Sequence, residues 1–169
     1  DIEILGVAHA PGVFAVGVVD PRLTVTFRNR GTAATTSTHI DLSLPPGITL
    51  GPGSGATPLG MSCSVLATTA SGQTLRCSGG ALLPGDAGNP RIVSLVVRFV
   101  LDAALDTPGP VDVLVGADPS GAIDAATLLD CSADPAPDHC ALHPIPTGKF
   151  CAGGIVPEGI YCDGFERVD

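Results

Sequence analysis

The sequence predicts an all-β protein: an antiparallel β-sandwich of about seven or eight strands with a disulfide-rich C-terminal extension. Three observations predict it. The 169 residues include 22 glycines and 16 prolines, the punctuation of tight turns. Between these, short runs of Val, Leu, Ile and Thr alternate apolar with polar, the period-two pattern of half-buried strands. No helical pattern of roughly 10–15 residues falls between the runs, which argues against an α/β fold. Hydrophobic residues make up 44% and charged residues 15%, which excludes a disordered chain. The glycines keep no three-residue period, which excludes collagen.

The elements follow in order. Residues 2–7 and 13–19 are strand-like, separated by Pro11-Gly12 and ended by Asp20-Pro21. Residues 23–28 alternate, with Leu23, Val25 and Phe27 on one face and Thr24, Thr26 and Arg28 on the other. Asn29-Arg30-Gly31 signals a turn, because Asn and Gly accept positive φ. Residues 39–44 alternate again, with His39, Asp41 and Ser43 on the solvent face, until Pro45-Pro46-Gly47 stops them. Residues 48–50 form a short strand. Residues 61–66 and 73–77 form a hairpin over Ser71-Gly72, and Leu83-Pro84-Gly85 is another turn. Residues 92–101 are the most hydrophobic stretch and read as a central strand. Residues 111–115 close the set, and residues 125–129 offer one more strand. The sandwich domain is expected to span residues 1–130. Residues 131–169 read as a cysteine-containing extension too small for its own core, packed on the sandwich or on a neighbour. Within it, residues 131–140 read as a loop, 143–148 as an extended linker and 151–162 as a closed turn.

The six cysteines, Cys63, Cys77, Cys131, Cys140, Cys151 and Cys162, fall in three close pairs with 13, 8 and 10 residues between partners. Such pairs read as disulfides formed in an oxidising compartment, with nearest-neighbour pairing expected. The competing reading is zinc on Cys131, His139, Cys140 and His143. No C-x-x-C spacing is present, and a loop carrying two prolines scaffolds a tetrahedral site poorly. The chain starts at Asp1 without Met and shows no apolar leader, as expected of a secreted protein whose signal peptide has been removed. No run of 18 or more apolar residues predicts a membrane helix. Residue 1 is not Cys, which argues against a lipid anchor there.

Net charge is −9. Such a surface repels nucleic acid and anionic lipid, so neither is expected as a partner. The histidines are His9, His39, His139 and His143, and no G-x-S-x-G marks a nucleophile elbow. His39, His139 and His143 read as surface residues. Trp is absent and Tyr161 stands alone, which leaves few rings for stacking sugars. Asp118, Asp124, Asp130, Asp134 and Asp138 crowd one region but lack the spacing of an EF-hand loop, and they read as solvated acids. No nucleotide loop is present. The expectation is therefore a non-enzyme with no cofactor and no metal.

Four segments also resemble a known family. Val25-Thr26-Phe27-Arg28-Asn29-Arg30-Gly31-Thr32-Ala33 resembles the VTVTNTGTA stretch of bacterial surface Ig-like repeats, a group once catalogued as domains of unknown function and similar to cell-adhesion-related bacterial Ig-like domains. Residues 44–50 resemble their LPAGLTL, and residues 63–65 with 72–77 resemble their paired-cysteine hairpin. Leu83-Pro84-Gly85 with the Val-rich run after it resembles LAPGASATLTLTV. Order and spacing agree over residues 15–117. The segment from Gly159 to Glu166 resembles the IFxDGFE terminus of secreted gammaproteobacterial proteins. The resemblance implies an Ig-like sandwich at the cell surface or outside the cell, used as a spacer, stalk or adhesive array. Contact with a cell surface or matrix is the partner it implies.

One observation points further. A half-exposed sheet buries alternate residues only, yet residues 2–19 and 92–101 are apolar on nearly both faces. Long apolar strands at an edge invite pairing with another chain. The reading is a secreted structural subunit that self-assembles into an extracellular filament or surface array by exchange of its N-terminal strand. Its expected assembly residues are Ile2, Ile4, Leu5, Val7, Val13, Phe14, Val16 and Val18, and its partners are other copies of itself. The alternative is a monomeric Ig-like adhesion or binding module.

Overall fold

The computed structural model describes residues 1–56, 59–86, 88, 91–102, 105, 110–117, 138–151 and 154–157. In chain order the strands are β1 (Ile2–Ala10), β2 (Arg22–Asn29), β3 (Thr38–Leu44), β4 (Ile48–Leu50), β5 (Gly55–Ala56) and β6 (Met61–Thr69). They continue with β7 (Gly72–Gly79), β8 (Val93–Leu101), β9 (Val111–Ala117), β10 (Cys140–Ile145), β11 (Gly148–Cys151) and β12 (Gly154–Pro157). No helix among the described residues is long and apolar enough to cross a membrane.

Two antiparallel sheets form a sandwich. One has the order β1-β2-β8-β4, the other β6-β7-β3-β9-β10. If β1, β2, β3, β4, β8, β9 and β10 are lettered A to G, the sheets read A-B-E-D and C-F-G, the order of an Ig constant-type sandwich. The hairpin β6–β7 enters between D and E and pairs through β7 with the outer flank of β3. β5 crosses between the sheets: Gly55 pairs with Ser62 of β6 and with Val96 of β8. A Cβ on Gly55 would lie 2.3 Å from the Met61 carbonyl oxygen, so the crossing needs glycine. At the opposite edge β1 and β10 stand side by side, and the Ile4 amide donates to the Asp138 carbonyl at 2.8 Å. β11 and β12 form a separate two-stranded sheet.

Period-two alternation builds the core. Leu23, Val25 and Phe27 of β2 and Val93, Leu95, Val97 and Phe99 of β8 face Ile40, Leu42 and Leu44 of β3, Leu75 of β7, and Val113 and Val115 of β9. Each such side chain contributes roughly 1.5–3 kcal/mol on full burial. The expected turn after β2 is built by Asn29, which is buried. Its amide donates to the carbonyls of Ala33 and Leu82, and its oxygen accepts from the Gly31 amide. The hairpin turn requires Gly72, with φ at +126° and the Leu44 carbonyl 1.8 Å from where a Cβ would sit. Cys63 and Cys77 oppose each other across this hairpin and are bonded, as expected. Closing a loop of that size is worth about 3 kcal/mol.

Several elements differ from the sequence reading. Residues 13–19 are not a strand. Gly17 and Asp20 take positive φ, the Val18 amide donates back to the Ala15 carbonyl, and only Phe14 forms a bridge, to Thr147. The apolar character of this segment serves burial, since Phe14 and Ala15 are fully enclosed. Residues 143–145 are not a linker but the end of β10, so the sandwich runs past residue 130. Pro144 is tolerated because β10 is an edge strand, where a missing amide leaves no ladder bond unmade. The stretch 92–101 is explained mostly by alternating burial along β8, with Ile92 and Val100 as its exposed hydrophobic members. Asp41 lies on the outer face as expected, yet it is buried beneath Arg76. Residues 125–129, Asp118, Asp124, Asp130, Asp134, Tyr161, Cys131 and Cys162 lie outside the described residues.

Candidate assembly surface

The N-terminal strand is where the sequence places self-association, so its geometry comes first. β1 runs antiparallel to β2 from Ile2 opposite Asn29 to Ala10 opposite Arg22, with a bulge between Ile4 and Gly6. The bulge turns Leu5 out, 40% exposed, while Ile2, Ile4 and Val7 face the core. Glu3 pairs with Arg28 directly opposite it, a link that pins β1 to β2 on the outer face.

The eight expected assembly residues therefore divide. Ile2 and Phe14 are core residues of their own sandwich rather than surface anchors. Ile4 and Val7 are partly buried against that core. Val13 and Val18 are partly exposed, and Leu5 and Val16 are exposed. The most open side chain of the segment is Val19, 87% exposed, which the sequence reading did not single out.

The free flank of β1 closes against β10 through side chains as well as main chain. His9 and His143 both point inward, and their ring nitrogens (Nδ1 and Nε2) lie 2.7 Å apart. His9 Nε2 reaches the Gly12 carbonyl at 3.2 Å, so that nitrogen carries a hydrogen. Its Nδ1 is then the acceptor, and His143 Nε2 donates. Phe14 stacks edge-on to His9 and to Phe99, plugging the end of the core. The Phe14 amide donates to the Pro146 carbonyl at 2.8 Å, and the Gly148 amide donates to the Phe14 carbonyl at 3.0 Å. The pKa of His143 is lowered, first by burial and then by His9. Its sequence reading as a surface residue is thereby corrected. The available signal was the alternation of Val7 and His9 along one inward face.

The remaining candidates are placed as follows. His39 sits between two serines, its Nδ1 3.0 Å from Ser78 Oγ and its Nε2 3.0 Å from Ser37 Oγ. The Asp41 carboxylate is engaged by Arg76, so the described contacts do not link Ser, His and Asp in one relay. Asp138 pairs with Arg30 at 2.7 Å, tying the turn after β2 to the entry of β10. Among the described residues no three of His, Cys, Asp and Glu converge on a metal position. Cys140 is disulfide-bonded, and the Cys151 side chain lies outside the description.

A second feature was missed from sequence. β6 is exposed from Ser64 to Thr69, with Val65 at 44% and Leu66 at 51%. Beyond Ser62 it pairs with β7 alone among the described residues. A comparison with protein-family models and with curated proteins matches none of them.

Proposed function

We propose that this chain is an extracellular structural subunit that self-assembles by exchanging its N-terminal strand between copies, building a filament or surface array. One observation carries the reading. β1 is an edge strand of its sheet that sends Ile2, Ile4 and Val7 into the core and leads into β2 through residues 11–21. Such a strand finds the same partners in the next copy as in its own, so exchange alters connectivity and not contacts. Head-to-tail exchange of this kind propagates unless the rotation closes a ring. The Cys63–Cys77 bond and the bonded Cys140 support an oxidising setting outside the cell. The second reading, a monomeric adhesion module, is favoured by the full pairing of β1 with its own β2.

A cross-strand disulfide separates the two. Ala8 and Thr24 are register partners, as Cys63 and Cys77 are. The double variant Ala8→Cys/Thr24→Cys, oxidised after assembly, captures whichever β2 holds each β1. Exchange yields a ladder of covalently linked chains on a non-reducing gel, collapsing on reduction. A single band at the 16.8 kDa chain mass with an internal bond sinks the exchange reading.

A further inference from the structure

We infer that the His9–His143 bond is an acid-sensitive latch: it holds β1 in its own sandwich at neutral pH and releases it in acid. The inference deepens the exchange reading, on which its use in assembly rests, by naming what regulates the strand.

β1 is held on its two flanks by unequal means. Toward β2 it has an antiparallel ladder, which the β2 of any copy supplies equally. Toward β10 it has no ladder among the described residues. That flank is closed by the Ile4 amide on the Asp138 carbonyl near the start of β1 and by the histidine bond at its end. The histidine bond also steadies the connection that follows. Phe14 stacks edge-on to His9, and its main chain is bonded to Pro146 and Gly148 just past β10. Losing the bond therefore loosens the end of β1 and the start of the segment that must swing out with it.

The rings face each other, with nitrogens 2.7 Å and centroids 5.0 Å apart. In the neutral pair one nitrogen donates and the other accepts. With both rings charged, two N–H groups and two like charges meet in a half-buried seam, where water screens them less than at an open surface. No carboxylate among the described residues pairs with His9 or His143 to offset this. On β1, Glu3 is held by Arg28, and Asp20 before β2 is held by Arg22 of β2 and Arg98 of β8. On β9, Asp112 is exposed while its neighbour Val113 faces the core. Ahead of β10, Asp138 pairs with Arg30, with His139 beside it. Burial, then His9, lowers the His143 pKa, so the released strand lets in a proton that the closed seam resists. Release becomes easier as pH falls below 6.5, by up to about tenfold per pH unit for one proton. Acid also brings the chain from its net charge of −9 toward its isoelectric point near 4.6. The change that frees the strand thus weakens the repulsion between copies.

The test is amide hydrogen exchange on the full chain at about pH 7.5 and about pH 5.5, one unit either side of the ordinary histidine value, corrected for intrinsic rates. The amides of β1 should lose about tenfold in protection at the lower pH and exchange ahead of those of β3 and β7. His143→Gln removes the titrating ring and should flatten that dependence. His9→Gln, the second variant should the first fold poorly, removes one of the two causes of the lowered value and should weaken the dependence. Three results overturn the latch: equal β1 protection at both pH values in the parent, a fall that neither folded variant alters, or β1 amides that exchange only together with β3 and β7. The Ala8→Cys/Thr24→Cys chain, incubated at each pH and then oxidised under one condition, reads exchange itself. A ladder that forms equally fast at both pH values also overturns the latch. A ladder at neither pH sinks the exchange reading, while the protection of β1 still decides whether acid releases the strand.

Discussion

His9 of β1 and His143 of β10 share a hydrogen bond, ring nitrogen to ring nitrogen at 2.7 Å, across the gap between the free edges of the two sheets. The bond needs one N–H and one lone pair between the rings, so it is lost when both facing nitrogens carry hydrogen. Burial, then the neighbouring His9, holds the His143 pKa below the ordinary 6.5. The unfolded chain therefore binds a proton there more readily than the folded one, and folding stability falls as pH falls. The contribution is complete above pH 6.5 and is lost as pH drops from 6.5 through the folded value. His143→Gln should cost about 1 kcal/mol at pH 8, the typical worth of one hydrogen bond. The gap between variant and parent should narrow towards pH 5, read as urea midpoints. A gap that stays constant or widens with acid would show that His143 does not titrate this way.

Asp41 and Arg76 make a different kind of contact. They are register partners on β3 and β7, joined by two hydrogen bonds at 2.9 and 2.7 Å, and the carboxylate is fully buried. Removing one member of such a pair strands a charge and typically costs about 3–5 kcal/mol, whereas replacing both with apolar groups is often near neutral. Arg76→Met should therefore lower stability by about that amount. Asp41→Leu/Arg76→Met should recover most of it, as measured by denaturant unfolding. Additive losses from the two single variants would show that the carboxylate does not depend on the guanidinium.

The contrast between these residues explains what was legible in the sequence. Local signals came through: the Leu23–Val25–Phe27 face, the Asn29-Gly31 turn, the Ser71-Gly72 hairpin and its cysteines each involve neighbours in one strand pair. The burial of Asp41 did not, because a polar residue at an outward position reads as solvated until Arg76, 35 residues away, lies over it. His9 and His143 are separated by 134 residues, and no spacing rule pairs them. Pro144 disguised β10 as a linker, since proline signals an edge strand only once the neighbours are known. That β6 pairs past Ser62 with β7 alone among the described residues is a property of sheet order, and alternation within one strand carries no information about it.

Residues 13–19 show the same limit from the apolar side, and Phe14 makes it measurable. A run without polar residues reads as strand, but here Gly17 at positive φ breaks it, Asp20 at positive φ follows it, and a single ring does the packing. Phe14 is fully buried, stacked edge-on to His9 and Phe99, and clamped by main-chain bonds to Pro146 and Gly148. Phe14→Ala removes the plug between the sheets and should cost about 3–5 kcal/mol, the usual range for a buried ring. The ring also borders His9, so its removal lets water reach the histidine pair. Phe14→Ala should therefore weaken the dependence of stability on pH, because His143 then titrates nearer its unfolded value. Urea midpoints for the parent, Phe14→Ala, His143→Gln and the double variant would separate the two effects. If the single variants add without coupling, the ring is packed beside the histidines without shaping their environment.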